Sequence, residues 1–561
     1  MLKRNIYVWH RRLSLIIALP LVLSTGSGIL HPVMTNIRPA VATQGLSPVA
    51  LDSSQLRLSL RTALDTNHII AISSMRVVHI DTNWFYQVQR GHGDVPVYIS
   101  TRTGKVLPKG DYLYAQYLAR QFLEGQSRMA GPLPPTEDMG AGSMVRPVSM
   151  TINMDMVSSM PDCCNAATSA VLNAKGSKVS DETRLESFDE EYAEVNRLLP
   201  VYKVAFDRPD GMRIYVETVQ DRFALAVDDR RAALNKVFQY IHTYQWLDFL
   251  GRGKQVVVFL LIGLAFVTTL LGMYIFFSTR SKRVPGNGYV RARRNHRYTA
   301  IVVSLFTAMF TFSGAWHALA KLKKDTRRLY FVRDRFPADN IRFDFGAIQA
   351  AVGGPVAGVS LVAMDGRSFW QVTLLPRGAG RHGDMGAKPL DERVRGKDLM
   401  RDMQVRPPEV AYVASSDYTI LPDGEKKYAR YLATQFSGHP ESMIVGTAIT
   451  TKFDGDYNFT DKRLPVWKVS YPVNHHERYY VETSTGSLSV RVDDMDLLEN
   501  YSFAFFHKHE FLGAFGKPVK DTSTMFWAAA QLFAVAFGLV LFFRARKRRR
   551  ADNSTTNQIR V

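Results

Sequence analysis

The stretch "NHRYTAIVVSLFTAMFTFSGAWH" (295–317) brackets an apolar run with His296 and His317, and "WHRRLSLIIALPLVLSTGSGILH" (9–31) brackets another with His10 and His31. Both pairs are 21 residues apart, and in both the first histidine is followed by arginine. A run of about 20 mostly apolar residues is long enough to cross a bilayer as a helix. Two more such runs, 255–279 and 522–543, join those at 13–30 and 298–320. Four transmembrane helices are therefore expected.

Charge orients them. The chain has 561 residues and a formal charge of +20. Lys3, Arg4, Arg11 and Arg12 precede the first run; Arg280, Lys282, Arg283, Arg291, Arg293, Arg294 and Arg297 separate the second from the third; Arg544, Arg546, Lys547, Arg548, Arg549, Arg550 and Arg560 follow the fourth. Set against Asp552 alone, these residues carry +17 of the total. Basic residues collect on the cytoplasmic side of membrane helices. Both termini and the 280–297 loop are accordingly expected in the cytoplasm, and the two large segments outside it. What remains is close to neutral, which removes the case for nucleic acid as a partner. The first run has the basic start of a signal peptide, with "AVA" at 40–42. Because that site lies far beyond the run and a version of the element recurs at 296–317, the run reads as a retained anchor.

The two outer segments read as copies of one another. "LPVYKVAFDRPDGMRIYVETVQDRFALAVDD" (199–229) aligns with "LPVWKVSYPVNHHERYYVETSTGSLSVRVDD" (464–494) at an offset of 265, which also pairs His242 with His507. Upstream, "YAQYLARQF" (114–122) matches "YARYLATQF" (428–436), and "FYQV" (85–88) matches "FWQV" (369–372). A repeat this long points to a tandem duplication and is too long for a solenoid. Alternating runs such as "VYKVAF" and Thr-Gly turns are strand signals, while "YLYAQYLARQFL" has helical spacing. The expected fold is an α-helical membrane bundle of four transmembrane helices with two α+β outer domains. Its parts are an N-terminus and first helix (1–34), outer domain 1 (35–240, with an insertion at about 126–190), an interfacial segment and second helix (241–280) and a loop (281–296). The third helix (297–320), outer domain 2 (321–505), an interfacial segment and fourth helix (506–543) and a basic tail (544–561) follow.

The "WHRRLSL" opening, the "NHRYTAIVVSLFTAMFTFSG" span, the "IHTYQWLDFLG" and "FFHKHEFLGAFG" approaches to spans two and four, and the Thr-Gly turns together resemble the PepSY-associated transmembrane family. The resemblance covers nearly the whole chain. It implies a bacterial inner-membrane protein with periplasmic PepSY-like domains, linked to iron uptake and in some members to haem-dependent reduction of ferric siderophores. The long Met-rich insertion departs from the family pattern, and His31 and His317 have no assigned place in its motif.

The histidines also carry a reading of their own. At about 1.5 Å per residue, 21 residues separate the members of each pair by roughly 31 Å, one hydrocarbon thickness. Twenty-one residues are also six turns at about 3.5 residues per turn, so both histidines of a helix return to one seam. Spans one and three run in the same direction, which sets His10 level with His296 near the inner face and His31 level with His317 near the outer. Facing imidazoles between helices are what a bis-histidine haem b requires, and the two layers suggest two haems. His242 and His507 add two more imidazoles at the outer layer, with His509 as a spare, and the pairing there is left open. The bland alternative is that interfacial histidines merely anchor helix ends.

No G-x-G-x-x-G follows a strand on the cytoplasmic side, so electrons would enter from a membrane quinol or a separate donor protein. No Ser/His/Asp or H-E-x-x-H pattern supports hydrolysis. The insertion gathers Met150, Met154, Met156 and Met160 with the only cysteines, Cys163 and Cys164, soft ligands that suit Cu(I). Two functional classes follow: a transmembrane haem protein that reduces a periplasmic acceptor such as a ferric siderophore, and a non-catalytic membrane sensor or interaction protein. A copper-related redox role stands beside them.

Overall fold

The computed structural model describes residues 2–37, 39–91, 93–125, 178–193, 196–280, 285–322, 330–332, 334–375, 394–395 and 405–558. The Met/Cys segment 150–164 lies outside the described residues. The chain forms two compact units: residues 1–37, 230–326 and 492–561 make a helical unit, and residues 38–229 and 327–491 make a sheet-rich one.

The helical unit contains four helices long and apolar enough to cross a membrane. They are the first (Leu2–Asn36), second (Gly253–Ser278), third (Gly288–Ala320) and fourth (Lys517–Gln558). The first and third each pack on the second and fourth, so the first and third stand on one diagonal of a square. Ile16, Leu19, Leu260, Phe277, Val302 and Phe533 are exposed, whereas Thr25, Ser27, Thr268, Thr307, Thr311 and Ser313 are buried. Large apolar groups outward and small polar groups inward is the pattern of helices solvated by lipid: small side chains let backbones approach, and inward hydroxyls are satisfied within the bundle. Thr307 and Thr311 donate to the Val303 and Thr307 carbonyls. The Asn287 side chain caps the third helix by accepting from the Tyr289 and Val290 amides, both at 3.1 Å. Arg297 closes the turn from the second helix, donating to the Phe276 and Thr279 carbonyls that helix leaves unpaired.

The sheet-rich unit holds a seven-stranded antiparallel sheet in the order 420–421, 409–414, 367–374, 356–364, 74–80, 83–89, 97–100. A four-stranded sheet is built from 179–185, 201–206, 213–217 and 222–227, and a five-stranded one has the order 330–331, 487–492, 478–482, 466–470, 446–450. Each half repeats one set of contacts. Gln87 donates to Tyr98 Oη (2.6 Å) and the Thr218 carbonyl (2.9 Å); Gln371 donates to Tyr412 Oη (2.7 Å) and the Thr483 carbonyl (3.1 Å). Gly110 and Gly424 open their helices against the side chains of Tyr98 and Tyr412, where a β-carbon would stand 2.8 and 2.5 Å from the tyrosine Cβ. Buried Glu482 takes Arg222 and, at 3.5 Å, Arg463. Arg197 reaches Asp461 at 2.6 Å. The two halves thus meet through paired buried charges, which are tolerated because each carboxylate is matched.

Candidate functional site

Four of the six predicted histidines are held in one repeating way. His10, on the first helix, directs Nδ1 to the Thr268 carbonyl of the second helix at 3.1 Å. Its Cε1 lies over Gly272, one turn further along, 3.1 Å from where a β-carbon would be. His296, on the third helix, sits over Gly538 of the fourth at 3.2 Å. Its Nδ1 faces the Ala534 carbonyl, one turn before that glycine, without reaching hydrogen-bond geometry. His10 and His296 are within electrostatic reach of each other across the diagonal.

The second pair reverses the roles of the helices. His242 ends the short helix Asp229–His242, after which Tyr244 in the left-handed region (φ 53°) turns the chain back toward the second helix. The ring inserts against the first helix, with Nδ1 3.1 Å from the Ser24 carbonyl, 3.1 Å from Ser27 Oγ, and Cε1 over Gly28. His507 ends the turn Phe503–His507, and His509 (φ 51°) reverses the chain there. Its Nδ1 lies 3.3 Å from Ser313 Oγ and is directed to the Phe310 carbonyl of the third helix. Ser24, Ser27 and Gly28 stand 286 residues before Phe310, Ser313 and Gly314, the same offset that relates His10 to His296.

The chemistry follows from which nitrogen is used. A carbonyl accepts only from Nδ1–H, so His10 and His242 are pinned as the tautomer whose Nε2 carries a lone pair, whereas His296 Nδ1 has no hydrogen-bond partner and His507 Nδ1 meets the Ser313 hydroxyl. Among the described residues no hydrogen bond engages Nε2 of these four. His507 is pushed down from 6.5 to about 3, chiefly by burial and then by His242, His317 and Lys508 nearby. Burial also lowers His242. Both are therefore neutral at physiological pH, as a metal-bound imidazole must be. Their ring centroids are 6.5 Å apart and their planes 71° to each other. Two imidazoles bonded on opposite sides of one metal ion at about 2 Å each have centroids roughly 6 Å apart, a separation with which the distance between these two rings is compatible.

The other predicted residues go elsewhere. His317 binds Glu499 through Nδ1 at 2.6 Å and packs on Phe503. His31 packs on Phe238 at 5.7 Å. His509 is fully buried, with Nδ1 3.0 Å from Ser523 Oγ, and its ring stacks on Phe310. The structure therefore brings His242 to His507 and leaves His31 and His317 in separate contacts. Glu499, the carbonyl acceptors and the underlying glycines were not among the residues the sequence singled out. The glycines had a faint signal, since Gly272 and Gly538 recur at a spacing of 266, within one residue of the 265 offset that pairs His242 with His507.

No protein-family model matches the chain, and no curated protein matches it. Among the described residues, no group of three or more His, Cys, Asp or Glu side chains is arranged to hold a metal ion. The metal chemistry available here is that of paired imidazoles.

Proposed function

We propose that this protein binds two b-type haems and carries electrons across a bacterial inner membrane to a periplasmic acceptor, a ferric siderophore being the acceptor that the family resemblance favours. The observation that carries the reading is the pair of histidine layers, His10 with His296 and His242 with His507, in which Nδ1 of His10, His242 and His507 is engaged and no hydrogen bond among the described residues uses Nε2. Bound haem would supply reversible one-electron chemistry, and two axial histidines leave no open position for oxygen or substrate.

The protein's own part is spacing and insulation. His242 and His507 meet the first and third helices at Ser24 and Phe310, each 14 residues beyond His10 or His296. At about 1.5 Å per residue that is roughly 21 Å between layers, against roughly 31 Å had His31 and His317 formed the outer layer. The shorter spacing would shorten the electron path between haems held at the two layers. The matched Gln–Tyr–carbonyl contacts in the sheet-rich unit support an origin by duplication, and the basic clusters at 280–297 and 544–550 support cytoplasmic termini. Both outer domains would then be periplasmic and PepSY-like. Electrons would come from a quinol or a separate cytoplasmic donor.

The test is spectroscopic and kinetic. Purified protein should be red, with split α bands in the reduced form. Reduced with dithionite, freed of excess reductant and mixed anaerobically with ferric siderophores, it should reoxidise as chelatable Fe(II) appears. A colourless protein, or reduced haem that ignores every ferric chelate while reacting with a copper or quinone acceptor, overturns the reading.

A further inference from the structure

We propose that Gly272 and Gly538 are positioning residues for the inner haem, fixing the depth and tautomer of His10 and His296. The inference rests on the haem reading above. Each glycine lies one turn after the carbonyl that faces its histidine: Thr268 then Gly272 for His10, Ala534 then Gly538 for His296. The two cradles are metrically alike. A β-carbon at 272 would stand 3.1, 3.7 and 3.9 Å from Cε1, Nδ1 and Nε2 of His10, and one at 538 would stand 3.2, 3.6 and 3.9 Å from the same atoms of His296.

Cε1 is the atom between the two nitrogens. A methyl group pressed on it lifts the whole ring, lengthening the Nδ1 contact to the carbonyl and displacing Nε2 from the bundle axis in one motion. The His10 ring has little freedom to comply, because its own helix fixes Cα and the Thr268 carbonyl holds Nδ1 at 3.1 Å; the His296 ring is fixed at Cα by its helix and has no such bond at Nδ1. Outer-shell partners of this kind commonly alter metal-site affinity about 10- to 100-fold. The outer pair is built more loosely: the β-carbon contact from Gly28 to His242 is an ordinary 3.7 Å, and Gly314 has no histidine atom within 4 Å. A β-carbon at the inner layer therefore obliges the histidine ring to give by a few tenths of an ångström, and one at the outer layer does not.

The experiment replaces each glycine by alanine in the full-length haem protein, with Gly263→Ala as control because it lies on the same helix as Gly272 with nothing within 4 Å. The readouts are haem content per chain, the low-spin electron paramagnetic resonance signals and the midpoint potential of each haem. G272A and G538A should each weaken retention of the inner haem about tenfold, or shift its signal and potential, while the outer haem of the same molecules stays unchanged and reports an intact fold. G28A, G314A and G263A should match the parent. If G272A and G538A both match G263A while H10A removes the inner haem, the positioning role is wrong and the haem reading stands. If H10A and H296A keep the parent spectrum, the haem reading falls and this inference with it. Should G272A fail to accumulate, G538A decides alone, since it acts from the opposite side of the bundle.

Discussion

The inner and outer histidine layers use the same ligand chemistry and differ in how firmly it is held. His10 and His296 project from the third turn of long helices onto glycines, where a β-carbon would stand 3.1 and 3.2 Å away. His242 and His507 end short segments, lean on serine hydroxyls at 3.1 and 3.3 Å, and have the His317–Glu499 pair beside them. A ring carried by a long helix and pressed on backbone has one position. A ring at a chain reversal rests instead on a hydroxyl and, for His242, also on the Ser24 carbonyl at 3.1 Å. The comparison sets an inner layer pressed closely on glycine against an outer layer held by polar contacts.

The largest effect expected is from ligand removal. H10A or H296A should abolish the inner low-spin signal and most inner haem, whereas H242A or H507A should do so at the outer site. H31A and H317A should keep both haems, since those rings are engaged by Phe238 and Glu499. Loss of the outer haem from H31A or H317A, with retention in H242A and H507A, breaks the outer half of the comparison. Because the His242 and His507 rings are 71° apart, the outer signal should also show the strong anisotropy of crossed imidazole planes. Parallel-plane spectra at both sites would contradict it.

Acid should act next. His507 titrates near 3 in the folded protein against 6.5 when free, and His242 is lowered too. The folded rings stay neutral while the released rings take up protons, so the unfolded state binds more protons below 6.5. Stability is then full above 6.5 and falls as pH drops toward 3, by up to about 1.4 kcal/mol per pH unit for each ring. Denaturation of the detergent-solubilised protein at pH 7, 6, 5 and 4 measures this slope, which H507Q should reduce. A slope of the opposite sign would mean that the rings are charged in the folded state.

The smallest effects belong to the hydroxyls. S27A and S313A should shift the outer midpoint potential and leave the inner one untouched, costing about 1 kcal/mol or less of stability because the Ser24 and Phe310 carbonyls remain as acceptors. An equal shift at both haems would erase the distinction between layers.

Much of this was legible in the sequence because it rests on local, one-dimensional rules. Runs of about 20 apolar residues and clustered arginines specify four spanning helices in any context, since lipid demands it. The 265-residue offset exposed the correspondence of His242 with His507, and the 21-residue spacing picked out His10 and His296. Which histidines meet was not legible. Spacing along a helix cannot show that Tyr244 and His509, in left-handed backbone, turn the chain so that His242 and His507 fold back against Ser24 and Phe310. Nor can it show that His317 is taken by Glu499, whose counterpart at the 265 offset is Leu234. The sequence alone determined which elements exist, because their stability depends on their own composition. The tertiary structure alone decided which nitrogens are pinned and which are free, because a hydrogen bond a few ångströms long depends on the packing of a neighbouring helix, and in that packing Gly272 and Gly538 leave room for a ring where any side chain would fill it.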